Sequence, residues 1–196
     1  MNSTAETIYK LINNISYLTS ETWLTLITHT TEIELKKNDY FVKEGEISRE
    51  IGILTKGIVR SFYVTEDGKE YNKTLFVAPN IIGSYVSLIT RQPNRLPQQA
   101  LTDCIVTKIP LSTIEKLSKE NIEIERLRRK IAEQFFVLKE KRELEMALLQ
   151  ANERYLIFRK EFPEVEQLIS QYHIASYLGI SATQLSRIRK KMSGKS

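Results

Sequence analysis

The chain is poor in the residues from which covalent and metal scaffolds are built. It holds one cysteine, Cys104, in 196 residues, which excludes an internal disulfide framework and a cysteine-ligated iron–sulfur cluster within one chain. Its two histidines, His29 and His173, are far apart and make no metal or haem case. No apolar run approaches membrane-spanning length. The opening residues Met1-Asn2-Ser3-Thr4-Ala5-Glu6 lack the basic-then-apolar pattern of a signal peptide. There is no Ser/His/Asp set, metal cluster or Walker loop, so an enzyme is not expected. Glu44 and Glu46 stand in a turn, where solvation accounts for them. Repeats and low-complexity segments are absent too. These absences predict a cytoplasmic protein with no cofactor and no membrane partner.

What is present is ordinary in amount and uneven in placement. Hydrophobic residues make up 41% and charged residues 27%, a composition that can bury a core. The net charge of +5 is not spread evenly. Residues 1–120 carry 14 basic and 14 acidic side chains, residues 121–150 carry 7 and 6, and residues 151–196 carry 8 and 4. From Arg187 to Lys195 there are five basic residues and no acid. Such a concentration is what phosphate binding requires, although a solvating basic tail has the same composition.

That charge lies beside the most informative stretch, Ser170 to Lys191, which reads as two short helices joined by a tight turn. Ser170 is placed to cap the first, and Ile174, Tyr177 and Leu178 fall at i, i+3 and i+4 on one face. Gly179 supplies the left-handed residue that ends it. Ser181 is placed to cap the second helix, with Gln184 at capping-box spacing. In that helix Leu185 and Ile188 point inward. Thr183, Gln184, Ser186, Arg187, Arg189 and Lys190 lie on or near the outer side. Arg pairs bidentately with guanine and Gln with adenine, while Ser, Thr and Lys reach phosphates, so this face suits a major groove. A solvated helical hairpin would show the same pattern, and the neighbouring charge favours DNA.

The remainder divides by pattern. Helices are expected from Ser3, carrying Ile8, Leu11 and Ile12, and from a Ser20 cap, with Trp23, Leu24, Leu26 and Ile27 as the apolar face. From Glu32 to Ile109 short strands alternate with turns about every ten residues, and Asp67-Gly68 is a strong hairpin signal. This predicts an antiparallel barrel or roll. Tyr85 to Thr90 predicts one helical turn, followed by the loop Arg91 to Pro97. Such a segment suits a phosphate cradle and equally a plain surface connection. Leu111 to Leu117 predicts a short helix. Asn121 is placed to cap a helix running to about Leu149, in which Ile124, Leu127, Ile131, Phe135 and Leu138 form a seam two parallel helices can share. Phe136, Val137, Leu144 and Leu148 form a second apolar face, expected to pack on the chain's own roll. A helix restarts at Asn152-Glu153 and ends at Phe162-Pro163.

This order of parts resembles the catabolite-activator/FNR (Crp/Fnr) family of bacterial transcription regulators. The likeness rests on Gly45 and Gly57 in the roll, Gly83, Arg154-Tyr155 followed by Pro163, and the two runs His173 to Ser181 and Leu185 to Arg189. These runs look like the short regulators of this family found in Bacteroidetes. The resemblance implies an α+β fold. Residues 1–117 would be a jelly-roll sensor domain of the cyclic-nucleotide-binding type, residues 118–150 a dimerisation helix and residues 151–196 a helix-turn-helix domain. It implies a homodimer bound to double-stranded DNA, with RNA polymerase as a further candidate partner.

Two departures qualify what the resemblance implies. Cyclic-nucleotide binders of the family place a Glu after the glycine and an Arg followed by Ser or Thr about ten residues later. Here Gly83 is followed by Ser84, and the second pair falls on Asn94 and Arg95. Losing two charge-assisted bonds of about 1.5–3 kcal/mol each weakens affinity about a hundredfold or more. The expectation is a degenerate pocket that does not usefully bind cAMP and that takes another small effector or none. The second departure is brevity, since little room remains for wing strands. Ala182 and Thr183 stand where the family commonly has Arg and Glu, so the operator is expected to differ from the usual half-site. Thr183, Gln184 and Arg187 are the candidates for base contacts. Ser181, Ser186, Arg189, Lys190 and Lys191 are the candidates for phosphate. The alternative is a sensing module that signals through protein partners without DNA.

Overall fold

The computed structural model describes residues 3–194. It opens with α1 (Ser3–Ile15) and α2 (Ser20–Ile27), whose Ile8, Ile12, Trp23 and Leu26 are buried. The cap of α2 is Thr19 and not Ser20, because Thr19 accepts the N–H of Thr22. Glu123, far along the chain, in turn accepts the Thr19 N–H at 2.9 Å and its hydroxyl at 3.0 Å. Leu24, expected on the apolar face, is exposed, since Trp23 and Leu26 set the side turned to the core.

Eight strands follow: β1 (Thr31–Leu35), β2 (Tyr40–Val42), β3 (Glu50–Lys56), β4 (Ile58–Val64), β5 (Glu70–Val77), β6 (Asn80–Ile82), β7 (Gln98–Ala100) and β8 (Cys104–Pro110). They form two antiparallel sheets ordered β1-β8-β3-β6 and β2-β7-β4-β5. The hairpin of β4 and β5 turns at Asp67-Gly68, where Gly68 has φ +78°. Leu54, Val59, Phe76, Ile82, Ala100 and Val106 fill the roll. At Gly52 an added Cβ would lie 2.8 Å from both Phe41 and Val106, so the interior closes directly onto the backbone. Cys104 is buried there, and burial pushes its thiol pKa up, which keeps the sulfur inert. A short helix, α3 (Tyr85–Thr90), lies between β6 and β7.

After α4 (Leu111–Glu120) comes the long helix α5 (Ile122–Leu148). Asn121 caps it, its side chain accepting from the N–H groups of Glu123 and Ile124, and both Glu123 and Glu125 sit in the first turn. The face of α5 expected to pair with a second helix is the one that packs on the chain's own core. Ile124 and Leu127 are buried against α1, α2 and α4, with Ile131 packed on the same cluster and Phe135 against the roll. Leu138 continues that side beyond the roll and is 58% exposed. The residues expected to pack on the roll, Phe136, Val137, Leu144 and Leu148, are 54–72% exposed. Two apolar faces are legible from helical spacing, but which one meets the roll depends on where the sheets and α1–α2 stand around the helix.

The chain ends in α6 (Ala151–Glu161), α7 (Val165–Leu168), α8 (Gln171–Leu178) and α9 (Ala182–Ser193). Gln150, not Asn152, precedes the first turn of α6, and the Glu153 carboxylate accepts its N–H at 2.8 Å. The core of this unit is continuous with the roll. Tyr155, Phe158, Ile174, Leu178 and Leu185 cluster with Ile58, Leu75 and Leu101. Residues 58–62 of β4 are therefore buried on both faces, with Val59 in the roll and Ile58 under the C-terminal helices. Among the described residues no strand follows β8, and no helix is long and apolar enough to cross a membrane.

Candidate nucleic-acid interface and effector pocket

Helices α8 and α9 form the expected pair. Gly179 ends α8 at φ +69°, and a Cβ there would stand 2.6 Å from Met146 of α5. The turn therefore needs glycine for its left-handed backbone, whereas a Cβ would displace only the flexible end of the Met146 side chain. Ser181 caps α9 by accepting the N–H of Gln184 at 3.1 Å. Ser170 occupies the cap position of α8, but its hydroxyl makes no capping bond. Ile174, Ala175, Tyr177 and Leu178 are buried beneath, as is Leu185 of α9.

The outer face of α9 carries Thr183, Gln184, Ser186, Arg187, Lys190 and Lys191, all exposed, with Ser181 at its start. Arg189 departs from that group. It is half-buried, and its Nε lies 3.7 Å from Glu166 Oε1 of α7. Helical geometry explains this, since Arg189 falls one residue after the inward Ile188 and on the flank facing α7. Glu166 also accepts a 2.7 Å hydrogen bond from the Tyr155 hydroxyl and lies 3.5 Å from Arg159. Burial and then the Glu166 carboxylate push the Tyr155 pKa up to about 12, so the phenol remains a donor.

Two arginines fix this unit to α5. Arg154 donates to the carbonyl of Leu178 at the end of α8 (3.1 Å) and to that of Leu149 just past α5 (2.6 Å). One guanidinium thus satisfies two helix ends. Arg142 stacks on the Tyr177 ring at 4.0 Å and donates to the Tyr177 carbonyl.

Of the four residues expected to form an effector pocket, Gly83 and Asn94 are committed to their own chain. Gly83 has φ +140° and donates its N–H to Gln98 Oε1 at 2.9 Å. Ser84 precedes α3 without a capping bond. Asn94 is buried, with its side chain donating to Lys43 O and accepting from Leu96 N–H, and its backbone paired with Gly45 and Glu46. Arg95 alone of the four is exposed as a charged side chain. Beside Gly83 a cavity of about 90 Å³ runs between α3, α5 and α1–α2, lined by apolar residues such as Ile12, Ile53, Leu88, Ile124 and Phe135. The bond from the Gly83 amide to Gln98 was not legible, because a glutamine in a short strand carries no local signal for the amide it meets.

Residues 32–121 match the model of the cyclic nucleotide-binding domain. FixK2 from Bradyrhizobium japonicum is similar in structure at a TM-score of 0.74 and 21% identity, covering 85% of each chain. A double variant of CooA from Carboxydothermus hydrogenoformans has a TM-score of 0.70 at 14% identity, over 99% of this chain and 86% of that one. A chain from Eubacterium rectale assigned to the Crp/Fnr family of transcriptional regulators reaches 0.70 at 14% identity, over 94% and 87%. The roll therefore has the fold of a cyclic nucleotide-binding domain, and the chain as a whole shares the fold of these solved structures. No curated protein matches it by sequence. Within the matched segment Ser84 and Asn94 are uncharged, and Gln98 takes the Gly83 amide. Beyond that domain, the C-terminal helix pair is present without wing strands among the described residues.

Proposed function

We propose that this chain is a sequence-specific DNA-binding transcription regulator that acts as a homodimer. The observation that carries the reading is the outer face of α9. A capped helix presents Thr183, Gln184 and Arg187 to solvent, flanked by Ser186, Lys190 and Lys191, and no acidic residue follows Glu166 in the sequence. Base-edge contacts go to Thr183, Gln184 and Arg187, and phosphate contacts to Ser181, Ser186, Lys190 and Lys191. Arg189, paired with Glu166, holds the helix down instead of reaching out.

Dimerisation is assigned to the exposed face of α5. Val137, Leu144 and Leu148 follow one another at spacings of seven and four, flanked by Phe136, and their exposure in a single chain supports pairing with a second long helix. Two copies of α9 would then stand about one DNA turn apart. The pocket supports a regulator that does not respond to cAMP, because the Gly83 amide and the Asn94 side chain already have partners.

Selection of bound sequences from a random duplex pool, followed by an electrophoretic shift, tests the reading. A two-fold site with half-sites about 10 base pairs apart is expected. A monomeric chain indifferent to DNA at low salt would overturn it in favour of signalling through a protein partner.

A further inference from the structure

The C-terminal helices do more than lean on the roll: a buried charged residue bonds the two together. Arg60 of β4 is 4% exposed. Its Nε and Nη2 donate to Gln99 Oε1 of β7 at 3.0 and 2.7 Å, and its Nη1 donates to Glu70 (2.6 Å) and Asn72 (3.3 Å) of β5. The same Nη1 lies 3.5 Å from Nδ1 of His173 in α8, and the guanidinium covers the Phe62 ring at 3.7 Å. Asn72 carries the connection across. Its backbone N–H donates to Ser176 Oγ (2.8 Å) and its side chain to the His173 carbonyl (2.9 Å), while Ser176 Oγ donates to the Glu70 carbonyl (3.0 Å). A bulge between Ser61 and Phe62 in the β4–β5 register turns Asn72 toward this seam. On the other side of β4, Gln99 also donates to Asn38 O, and its neighbour Gln98 holds the Gly83 amide.

We propose that Arg60 is a positioning residue that couples β7, the strand seating the Gly83 loop, to the orientation of the DNA-reading helix pair. Arginine suits this place because its planar fork reaches several acceptors at once and stays charged when buried. For the same reason no partner moves alone: a shift of β7 leaves a buried guanidinium N–H unpaired unless Arg60, and with it Asn72 and α8, adjusts. The chain of contacts is contiguous from Gln99 through Arg60 and Asn72 to His173 and Ser176, which is the physical form such coupling takes.

The DNA part of this proposal rests on the function proposed above, whereas the coupling itself is measured without DNA. Hydrogen exchange is followed on the full chain, as wild type, Gln99→Met and Arg60→Met. In the sheet β4 separates β7 from β5, so a purely local role for Gln99 would loosen only β2, β4 and β7. Gln99→Met is expected to raise exchange across residues 171–178 by tenfold or more while β1, β3 and β8 keep their protection. Adding it to Arg60→Met should change little further, because both remove one pathway. Unchanged protection of residues 171–178 in Gln99→Met overturns the coupling, and should Arg60→Met fail to fold, Gln99→Met still decides it. On a selected operator Gln99→Met should weaken binding severalfold. Wild-type indifference to DNA would instead refute the proposed function, and the exchange data would still judge Arg60.

Discussion

Glu166 holds Arg189 away from the exposed face of α9, with its carboxylate oxygen 3.7 Å from the guanidinium. The same carboxylate receives the Tyr155 hydroxyl and neighbours Arg159, so one acid organises three groups around the base of α9. A carboxylate this close to the proposed nucleic-acid surface limits how much positive charge the helix presents. Glu166→Gln should release Arg189 toward phosphate. Affinity for random duplex is expected to rise, and the plot of log affinity against log salt to steepen by about one. Fluorescence anisotropy across a potassium chloride series measures this, and an unchanged slope would show that Arg189 is held by other means.

Arg187 and Lys191 share the outer face of α9 but have different proposed tasks. Arg187→Ala should weaken specific binding by about 1–3 kcal/mol and relax the choice of base at one position of each half-site. Lys191→Ala should weaken specific and random duplex evenly. Equal behaviour of the two variants on both duplexes would reject base reading by Arg187.

The two sides of α5 separate association from folding. Leu144→Glu, on the exposed stripe, is expected to yield a folded monomer with an unfolding midpoint close to that of the dissociated wild type. Leu127→Ala, on the buried side, should cost about 2–5 kcal/mol of stability through the cavity it leaves, without altering association of the folded fraction. Sedimentation velocity and urea unfolding distinguish the cases. A monomer produced by Leu127→Ala and not by Leu144→Glu would restore the Ile124–Leu138 seam as the interface.

His173 makes the junction sensitive to acid. Burial, and then the adjacent Arg60, push its pKa down from 6.5 to about 4. Below pH 6.5 the unfolded chain binds a proton that the folded chain refuses until about pH 4. Stability conferred by neutral His173 is therefore complete above 6.5 and lost as the pH falls toward 4. The loss should be roughly 2 kcal/mol after solvent screening. Comparing wild type with His173→Asn in urea at pH 7 and pH 4.5 isolates it, since the acidic side chains are the same in both chains. An identical pH dependence in the two chains would contradict the assignment.

Local features were readable from the residues alone because their causes are local. Asn121 caps α5 and Ser181 caps α9, each accepting from N–H groups two or three residues ahead. Gly179 ends α8 in the left-handed region, and Asp67-Gly68 turns the β4–β5 hairpin. The order of helices, roll, long helix and helix pair follows from where hydrophobic spacing changes between periods of two and of three to four.

Tertiary structure decided every question in which distant segments compete for one surface. Both apolar faces of α5 were visible in the spacing, yet only the placement of α1, α2 and the sheets chose Ile124 and Leu127 for burial and left Val137, Leu144 and Leu148 outside. Gln98 meets Gly83 fifteen residues back, and Arg60 meets His173 over a separation of 113. The physical reason is one of range. Caps and turns satisfy backbone groups within a few residues, so composition and spacing specify them, whereas burial and long-range hydrogen bonds are settled only when the folded chain brings separate strands and helices to the same place.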